Sequence, residues 1–254
     1  WAPINGAVSI FSTVLSIAIS GADIFIGTQG LGVYKSSDIG LSWSQIDTGF
    51  GNRSYNTVRA LAISGNIIFA GTDYGAYISS NSGSNWTHTS EMNIIKSNVG
   101  TIVVSGTHIF AGSEDLFLTT DNGTNWSRDT VGPFFFSIIS LASSGPKIFA
   151  GTYNGGVFFS ADTGRSWVSA NIGLPTHNIE VKALAIKGSQ VFAGVNAIGG
   201  CGLFTSLNNG VSWGQTSFSD CSVRVIHVSG NNIFVGTSRG VYVSSNNGNS
   251  WAQI

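Results

Sequence analysis

The chain has 254 residues, of which 42% are hydrophobic and only 9% charged, and its formal net charge is −1. Because its 11 Lys and Arg residues are scattered along the sequence, it lacks the concentrated positive charge that binding to nucleic acid or an anionic membrane surface requires. The sequence contains no stretch of about 20 apolar residues, so we also expect no membrane insertion.

Tryptophans recur about every 40 residues, which is a period typical of repeat proteins built from short strands. The seven positions are Trp1, Trp43, Trp86, Trp126, Trp167, Trp213 and Trp251. The last six each end the same phrase, Ser/Thr-x-Asp/Asn-x-Gly-x-x-Trp, which we call the turn motif. Its copies are SSDIGLSW, SSNSGSNW, TTDNGTNW, SADTGRSW, SLNNGVSW and SSNNGNSW, starting at Ser36, Ser79, Thr119, Ser160, Ser206 and Ser244.

The turn motif has a mechanical explanation that requires no ligand. Its third residue can accept backbone N–H bonds in an Asx-type turn, and its glycine supplies a positive φ for a tight hairpin. The third residue is Asp38, Asn81, Asp121, Asp162, Asn208 or Asn246. Since three copies carry the uncharged amide, the turn does not require charge. The tryptophan should then begin the next strand and cover the hairpin with apolar surface, so we interpret all six as structural residues.

The rest of each repeat consists of β-branched and aromatic runs bounded by Gly, Asn and Ser, without a helical period. We predict four strands per repeat. Strand A is typified by ALAIS from Ala60, strand B by IFAGT from Ile68 and strand C by GVYVSS from Gly240, and strand D starts at the tryptophan. Four short strands at this period indicate an all-β fold, a β-propeller of four-stranded antiparallel blades.

Counting the A–B–C sets gives six blades in a single domain. The repeats cover approximately 1–43, 44–86, 87–126, 127–167, 168–213 and 214–254. Trp1 occupies the position in the repeat at which a D strand begins. A D strand there could complete the last blade, which would remove exposed sheet edges. WAQI at the C-terminus offers a second D strand for that blade, so either one is redundant or the chain continues into another blade. Seven blades therefore remain the alternative.

The turn motif resembles the Asp-box, also called the bacterial neuraminidase repeat, and the resemblance covers essentially the whole chain. That family includes sialidases, xyloglucan-cleaving hydrolases, sortilin-type receptors, photosystem assembly factors and many secreted bacterial proteins of unassigned role. Its boxes generally lie away from the active face, so the resemblance implies a fold and leaves the activity open. Together with the uncharged, Gly-, Ser- and Asn-rich composition, it favours a secreted or cell-surface bacterial protein.

Ligand-binding residues of propellers usually lie where the B–C and D–A loops converge. The candidates in those loops, or at the start of strand A, are Arg59, Asp73, Tyr74, Glu114, Asp115, Tyr153, Lys182, Arg224 and Arg239. Asn154, Glu180 and Asp220 lie in the same loops. Tyrosine faces stack on sugar rings while polar side chains hydrogen-bond hydroxyl groups, so we predict a shallow site suited to sugars. The alternative interpretation is that these residues are solvent-exposed ends of the repeats and bind no ligand.

Three function classes are compatible with these features. The first, which we favour, is a non-catalytic binding, adhesion or scaffold propeller whose partner is a glycan or another extracellular protein. The second is a glycoside hydrolase or sialidase-like enzyme, and the third is a self-associating structural subunit. A glycosidase needs two carboxyl groups facing one cleft. Of the 12 carboxylates, however, only six could face a cleft, and among these only Glu114 and Asp115 share a loop. The Arg-Ile/Leu-Pro phrase of sialidases is also missing.

The two cysteines both fall in the fifth repeat, at the same end of the predicted C–D hairpin. We therefore predict a Cys201–Cys221 disulfide, which fits an oxidising compartment. The histidines lie in different repeats and show no metal-ligand spacing with the cysteines, so we predict neither a metal nor a cofactor.

Overall fold

A computed structural model describes residues 12–51, 56–89, 98–129, 132 and 136–254. Within these ranges the chain forms 24 β-strands and no helix. The strands build six four-stranded sheets, and every pair of neighbouring strands is antiparallel. The prediction of an all-β propeller with six four-stranded antiparallel blades is thus confirmed. The predicted D strand at Trp1 lies outside the described residues.

The chain divides into two compact units, Trp1–Arg128 and Asp129–Ile254, which we call unit 1 and unit 2. Each sheet takes four consecutive strands, numbered in chain order. Those of unit 1 are β1 (Val14–Ser20), β2 (Asp23–Thr28), β3 (Val33–Ser36), β4 (Ser44–Gln45), β5 (Val58–Ser64), β6 (Ile67–Thr72), β7 (Gly75–Ser79), β8 (Thr87–His88), β9 (Thr101–Ser105), β10 (His108–Gly112), β11 (Leu116–Thr119) and β12 (Ser127–Arg128).

The strands of unit 2 follow the same plan, with longer strands in its second sheet. They are β13 (Ile138–Ser144), β14 (Lys147–Thr152), β15 (Val157–Ser160), β16 (Val168–Ser169), β17 (His177–Lys187), β18 (Gln190–Ile198), β19 (Gly200–Ser206), β20 (Gly214–Gln215), β21 (Val225–Ser229), β22 (Asn232–Thr237), β23 (Gly240–Ser244) and β24 (Ala252–Gln253). The fourth strand of each sheet is only two residues long and begins just after the tryptophan, slightly later than predicted.

The turn motif forms a type I′ hairpin turn. In the first copy Ile39 and Gly40 have φ of 60° and 85°, and the Leu41 N–H donates to the Asp38 carbonyl at 3.3 Å. This turn matches the right-handed twist of the flanking strands but requires positive φ at both central residues. The sequence predicted that conformation for the glycine alone. The residue before the glycine shares it in every copy, as Ile39, Ser82, Asn122, Thr163, Asn209 and Asn247.

The side chains of the motif fix this turn as predicted. Asp38 Oδ1 accepts the Ser42 N–H and the Ser36 hydroxyl, each at 2.8 Å. The Ser36 Oγ in turn accepts the Gly40 N–H at 2.8 Å. The uncharged copies make the same bonds, since Asn208 Oδ1 accepts the Ser212 N–H at 2.9 Å. Asp and Asn are therefore equivalent in their main-chain contacts.

Two motif tryptophans, Trp86 and Trp213, hydrogen-bond their hairpin to the sheet before it in the chain. Trp86 is 2% exposed and donates from Nε1 to the Ile46 carbonyl, just beyond β4, at 2.6 Å. Trp213 makes the corresponding bond to the Ala170 carbonyl, just beyond β16, at 2.8 Å. The Trp126 and Trp167 side chains are also buried, whereas those of Trp43 and Trp251 are half-buried. These contacts agree with a structural role for the tryptophans.

Glycines in the second strands allow neighbouring sheets to approach closely. A Cβ atom on Gly71 would lie 2.6 Å from the carbonyl oxygen of Val99, and one on Gly151 would lie 2.8 Å from that of Val181. Both valines are completely buried. A side chain at either glycine would therefore force the two sheets apart.

Candidate functional site

The structure places the nine predicted ligand-binding residues on the expected connections. Asp73 and Tyr74 lie between β6 and β7, Glu114 and Asp115 between β10 and β11, Tyr153 between β14 and β15, and Arg239 between β22 and β23. Arg59 and Lys182 lie within the first strands β5 and β17, and Arg224 immediately precedes β21. All except Asp73 and Asp115 are exposed. Their common use as a ligand site stays a prediction.

In unit 1 three of the charged candidates, Arg59, Asp73 and Asp115, form two separate ion pairs. Arg59 Nε donates to Asp73 Oδ1 at 2.5 Å, and Arg128 Nη2 donates to Asp115 Oδ1 at 2.6 Å. Each pair joins residues of a single sheet and neutralises a carboxylate that was a candidate for contacting ligand. Sequence reasoning did not single out Arg128, because an exposed arginine on a two-residue strand carries no distinctive signal.

Unit 2 contains a surface depression of about 370 Å³, formed by two neighbouring sheets. It lies on the side that carries the β14–β15 connection. The β14–β15 connection contributes Tyr153 and Asn154, β17 contributes Asn178 and Glu180, and β18 contributes Asn196, Ala197 and Ile198. Tyr153 and Ile198 are 52% and 66% exposed. The depression therefore combines an open aromatic ring with amide and carboxylate groups.

Long strands in the second sheet of unit 2 build this depression. β17 has 11 residues and β18 has 9. The corresponding strands of the first sheet of unit 1, β1 and β2, have 7 and 6. Glu180 and Asn196 face each other in the extended part of the ladder. A parallel bridge between Gly155 and Ile179 connects the extension to the preceding sheet.

The predicted disulfide is present, close to the turn between β18 and β19. Cys201 and Cys221 are bonded, with their Cα atoms 4.9 Å apart. Cys201 lies in β19 directly opposite Asn196 of the depression, and Cys221 belongs to the loop that follows β20. The bond therefore connects β19, which pairs with the strand that carries three depression residues, to a loop of the same sheet.

Charges within the depression are balanced. Lys182 Nζ lies 3.2 Å from Glu180 Oε2, and Asn196 Nδ2 donates to the same oxygen at 3.2 Å. Tyr153 lines the depression together with Glu180, and Lys182 is paired with Glu180. The structure thus places the predicted residues Tyr153 and Lys182 near the same carboxylate.

Two residues of the depression have strained backbones. Asn154 and Asn178 have φ of 77° and 50°, and outside the turn motifs they are the only non-glycine residues with positive φ in the described part of the chain. Asparagine tolerates this conformation better than most residues, and such strain clusters at functional sites. Sequence reasoning missed Asn178 and Asn196. The available signal was the widest tryptophan interval, between Trp167 and Trp213, which marks the inserted residues.

A second charged feature of unit 2 lies near Arg239. The Ser222 hydroxyl and N–H donate to Asp220 Oδ1 at 2.6 and 2.8 Å. These bonds, together with the positive charge of Arg239, hold the pKa of the Asp220 carboxyl below its usual value. The backbone N–H of Arg224 donates to the Gly236 carbonyl of the neighbouring strand β22 at 2.9 Å. The Oδ1 atom of Asp220 is therefore committed to local hydrogen bonds.

Unit 1 has a larger recess, of about 450 Å³, on the side of the turn motifs. Its lining includes Asn81, Asn85 and His88. Asn81 Oδ1 already accepts the Asn85 N–H at 2.9 Å, and His88 Nε2 lies 2.8 Å from the Tyr74 carbonyl. Because these groups already maintain the hairpin and its neighbours, the depression of unit 2 is the stronger candidate.

In the part of the chain that the structure describes, no three His, Cys, Asp or Glu side chains come together in a way that could hold a metal ion. Among those residues there is also no helix of the length and apolar character needed to cross a membrane.

Comparisons with known proteins support the fold. A curated xyloglucanase from Paenibacillus sp. is 27% identical over 140 residues, which are 52% of this chain and 13% of that enzyme. The extracellular domain of the hybrid two-component system BT4673 from B. thetaiotaomicron superposes with a TM-score of 0.79 at 20% identity, covering 97% of this chain and 33% of that one. The GH74 xyloglucanase from Xanthomonas campestris gives 0.71 at 15% identity, covering 93% and 45%.

These likenesses to solved structures show the fold alone, since their sequence identities are low. The chain spans only a small part of the curated enzyme that it matches. Residues 40–217, well over half of the chain, match the family described as the DUF6242 beta propeller domain. The chain therefore belongs to the DUF6242 β-propeller domain family.

Proposed function

We propose that this chain is a non-catalytic binding propeller of the Asp-box type, secreted or held at the cell surface, and that carbohydrate binds in the depression of unit 2. The observation that carries the proposal is the exposed Tyr153 ring beside the side chains of Asn154, Asn178, Glu180 and Asn196. Aromatic faces stack on sugar rings, and amides both donate and accept hydrogen bonds as hydroxyl groups do. The depression falls within the size range of small-molecule sites.

Two findings support the extracellular location. The Cys201–Cys221 disulfide fits an oxidising compartment. The similar propeller of BT4673 is an extracellular domain. On this basis we expect the ligand to be a glycan outside the cell.

The carboxylate inventory supports a binding role over a catalytic one. Glycosidases hold two carboxyl groups about 5–9.5 Å apart across the scissile bond. Glu180 is the single carboxylate among the described residues that line the depression, and it is paired with Lys182. Asp73 and Asp115 are paired with arginines.

A glycoside hydrolase is the second candidate function. The local likeness to the Paenibacillus xyloglucanase favours it, because that region lies within an enzyme. Turnover of a fluorogenic xyloglucan oligosaccharide by the purified chain, lost in Glu180→Gln, would establish this alternative and exclude the non-catalytic role.

A glycan array tests the binding function directly. We expect the purified chain to bind specific saccharides, and Tyr153→Ala to lose that binding while retaining the melting temperature. Leu207→Ala is the matched control, because Leu207 is a 72% exposed apolar residue of unit 2 within the turn motif. The proposal is wrong if binding is absent, or if it persists unchanged in Tyr153→Ala.

A further inference from the structure

The type of sugar that the depression can accept is limited by its charged lining residue, Glu180, and by the Lys182 side chain that is paired with it. Glu180 has 19% of its side chain exposed and Lys182 has 42%. The ammonium group of Lys182 is held 3.2 Å from Glu180 Oε2, so its charge is already compensated. Among the described residues that line the depression there is no lysine or arginine. An anionic ligand would therefore meet a carboxylate without gaining an unpaired cation.

The geometry of Glu180 leaves one oxygen for a ligand. Lys182 and Asn196 both approach Oε2, while Oε1 accepts no hydrogen bond from the described part of the chain. An ionised carboxylate oxygen is a strong acceptor for a hydroxyl donor, and it repels a second carboxylate, sulfate or phosphate. Lys182 and Asn196 also hold the Glu180 side chain in place, which reduces the ordering needed on binding.

The asparagines provide complementary groups on the other sides of the depression. The side chains of Asn154 and Asn178 make no hydrogen bond to other described residues, although both residues are exposed and have positive φ. A free amide offers two donors and an acceptor, the combination needed to bind neighbouring hydroxyl groups. The Tyr153 ring offers an apolar face for the C–H side of a sugar ring.

From this arrangement we infer that the depression binds a neutral pyranose unit with adjacent hydroxyl groups and excludes acidic sugars. Glu180 Oε1 accepts a ligand hydroxyl and thereby determines specificity. The inference rests on the proposed carbohydrate-binding function and adds to it the charge class of the ligand and the residue that selects it.

Matched pairs of tetrasaccharides test this inference by isothermal titration calorimetry on the intact chain. β-1,4-Mannotetraose is paired with tetramannuronate, and galactotetraose with tetragalacturonate. The two members of a pair have the same linkage and differ only in that a CH₂OH group replaces each carboxylate. We expect at least one neutral member to bind roughly tenfold or more tightly than its acidic counterpart, because Glu180 repels the carboxylate of the acidic sugar and accepts a hydrogen bond from a hydroxyl group of the neutral one. Glu180→Gln should weaken neutral binding by about the same factor and leave acidic binding unchanged or improved.

The results separate the two proposals. Tighter binding of the acidic member, still lost in Tyr153→Ala, would overturn the neutral-sugar inference while supporting carbohydrate binding at this site. Unchanged affinity for the neutral sugar in Glu180→Gln would likewise overturn the role of Glu180. If no tetrasaccharide or array glycan binds the parent chain, the proposed function fails and the inference fails with it. Circular dichroism of each variant confirms that the fold is intact.

Discussion

Gly194 of β18 lies directly against Val223, the residue that leads into the first strand of the next sheet. A Cβ atom added at Gly194 would lie 2.4 Å from Val223 Cγ1, well inside van der Waals contact. The same relationship joins Gly27 to Val58 in unit 1. Since Val223 and Val58 are buried, each glycine of this kind provides the space that a valine of the next sheet fills.

Replacing Gly194 with alanine should therefore destabilise the protein by about 1–3 kcal/mol, the usual cost of overpacking a dense interior. Urea unfolding followed by tryptophan fluorescence measures the change. Gly214→Ala is the matched control, because a Cβ atom there has no neighbour within 4 Å. In the Gly194→Ala background, Val223→Ala removes the nearest atom and should restore part of the loss. Equal stability of the two alanine variants would contradict the packing argument.

Trp86 provides the corresponding test for the turn motif. It is 2% exposed and donates to the Ile46 carbonyl at 2.6 Å. Truncation of a buried tryptophan typically costs about 3–5 kcal/mol, so Trp86→Ala should lower the melting temperature sharply. Trp86→Phe loses the hydrogen bond but keeps most of the apolar volume, so its effect should be smaller. A folded Trp86→Ala protein of normal stability that had lost glycan binding would show that the residue contacts ligand.

These features explain why the fold could be predicted from the sequence. The turn motif is a local pattern, and its backbone bonds run within about four residues, as from Ser42 to Asp38. The regular spacing of the tryptophans then shows that the same four-strand unit recurs along the chain. This recurrence gives the order of the strands. The positive φ of Ile39 was not predicted, because a β-branched residue is among the least suited to that conformation. The hairpin imposes it through the requirements of the type I′ turn.

The candidate site was predictable only in part, because its members meet through tertiary structure. Tyr153 was expected from its loop, but its neighbours Asn178 and Asn196 come from strands that extend beyond the regular repeat length. The Arg59–Asp73 pair likewise depends on two side chains brought together by strand pairing. Sequence spacing indicates the loop in which a residue lies, while the ion pairs that neutralise it are visible only in the structure.

Reduction of the disulfide should affect both stability and binding. Cys201 and Cys221 are separated by 20 residues, and closing a loop of that size stabilises a protein by about 3 kcal/mol in the chain-entropy model. The Cys201→Ser/Cys221→Ser double variant should melt at a lower temperature and bind glycan more weakly, because Cys201 lies opposite Asn196. Non-reducing mass spectrometry checks the parent protein first. Two free thiols in protein purified from an oxidising compartment would contradict the predicted bond.

Stability in acid should depend on the three charged turn motifs. Hydrogen bonds from the side chain and backbone of Ser42, and from the Ser36 hydroxyl, lower the pKa of Asp38 to about 2. Asn125 and Thr119 lower the pKa of Asp121 to about 2. The hydroxyl and N–H of Ser166 and the Ser160 hydroxyl lower the pKa of Asp162 to about 2. All three values lie below the ordinary value of 3.8.

A carboxyl group whose folded pKa is lowered binds protons more readily in the unfolded chain. Its contribution to stability is therefore complete above about pH 4 and is lost as the pH falls toward 2. The Asp38→Asn/Asp121→Asn/Asp162→Asn variant removes these three titrations. The turns should survive, because Asn81, Asn208 and Asn246 already perform the same role. We expect its free energy of unfolding, measured by urea titration at intervals from pH 5 to 2, to fall less steeply than that of the parent. Parallel acid-side slopes in the two proteins would show that these aspartates do not control acid stability.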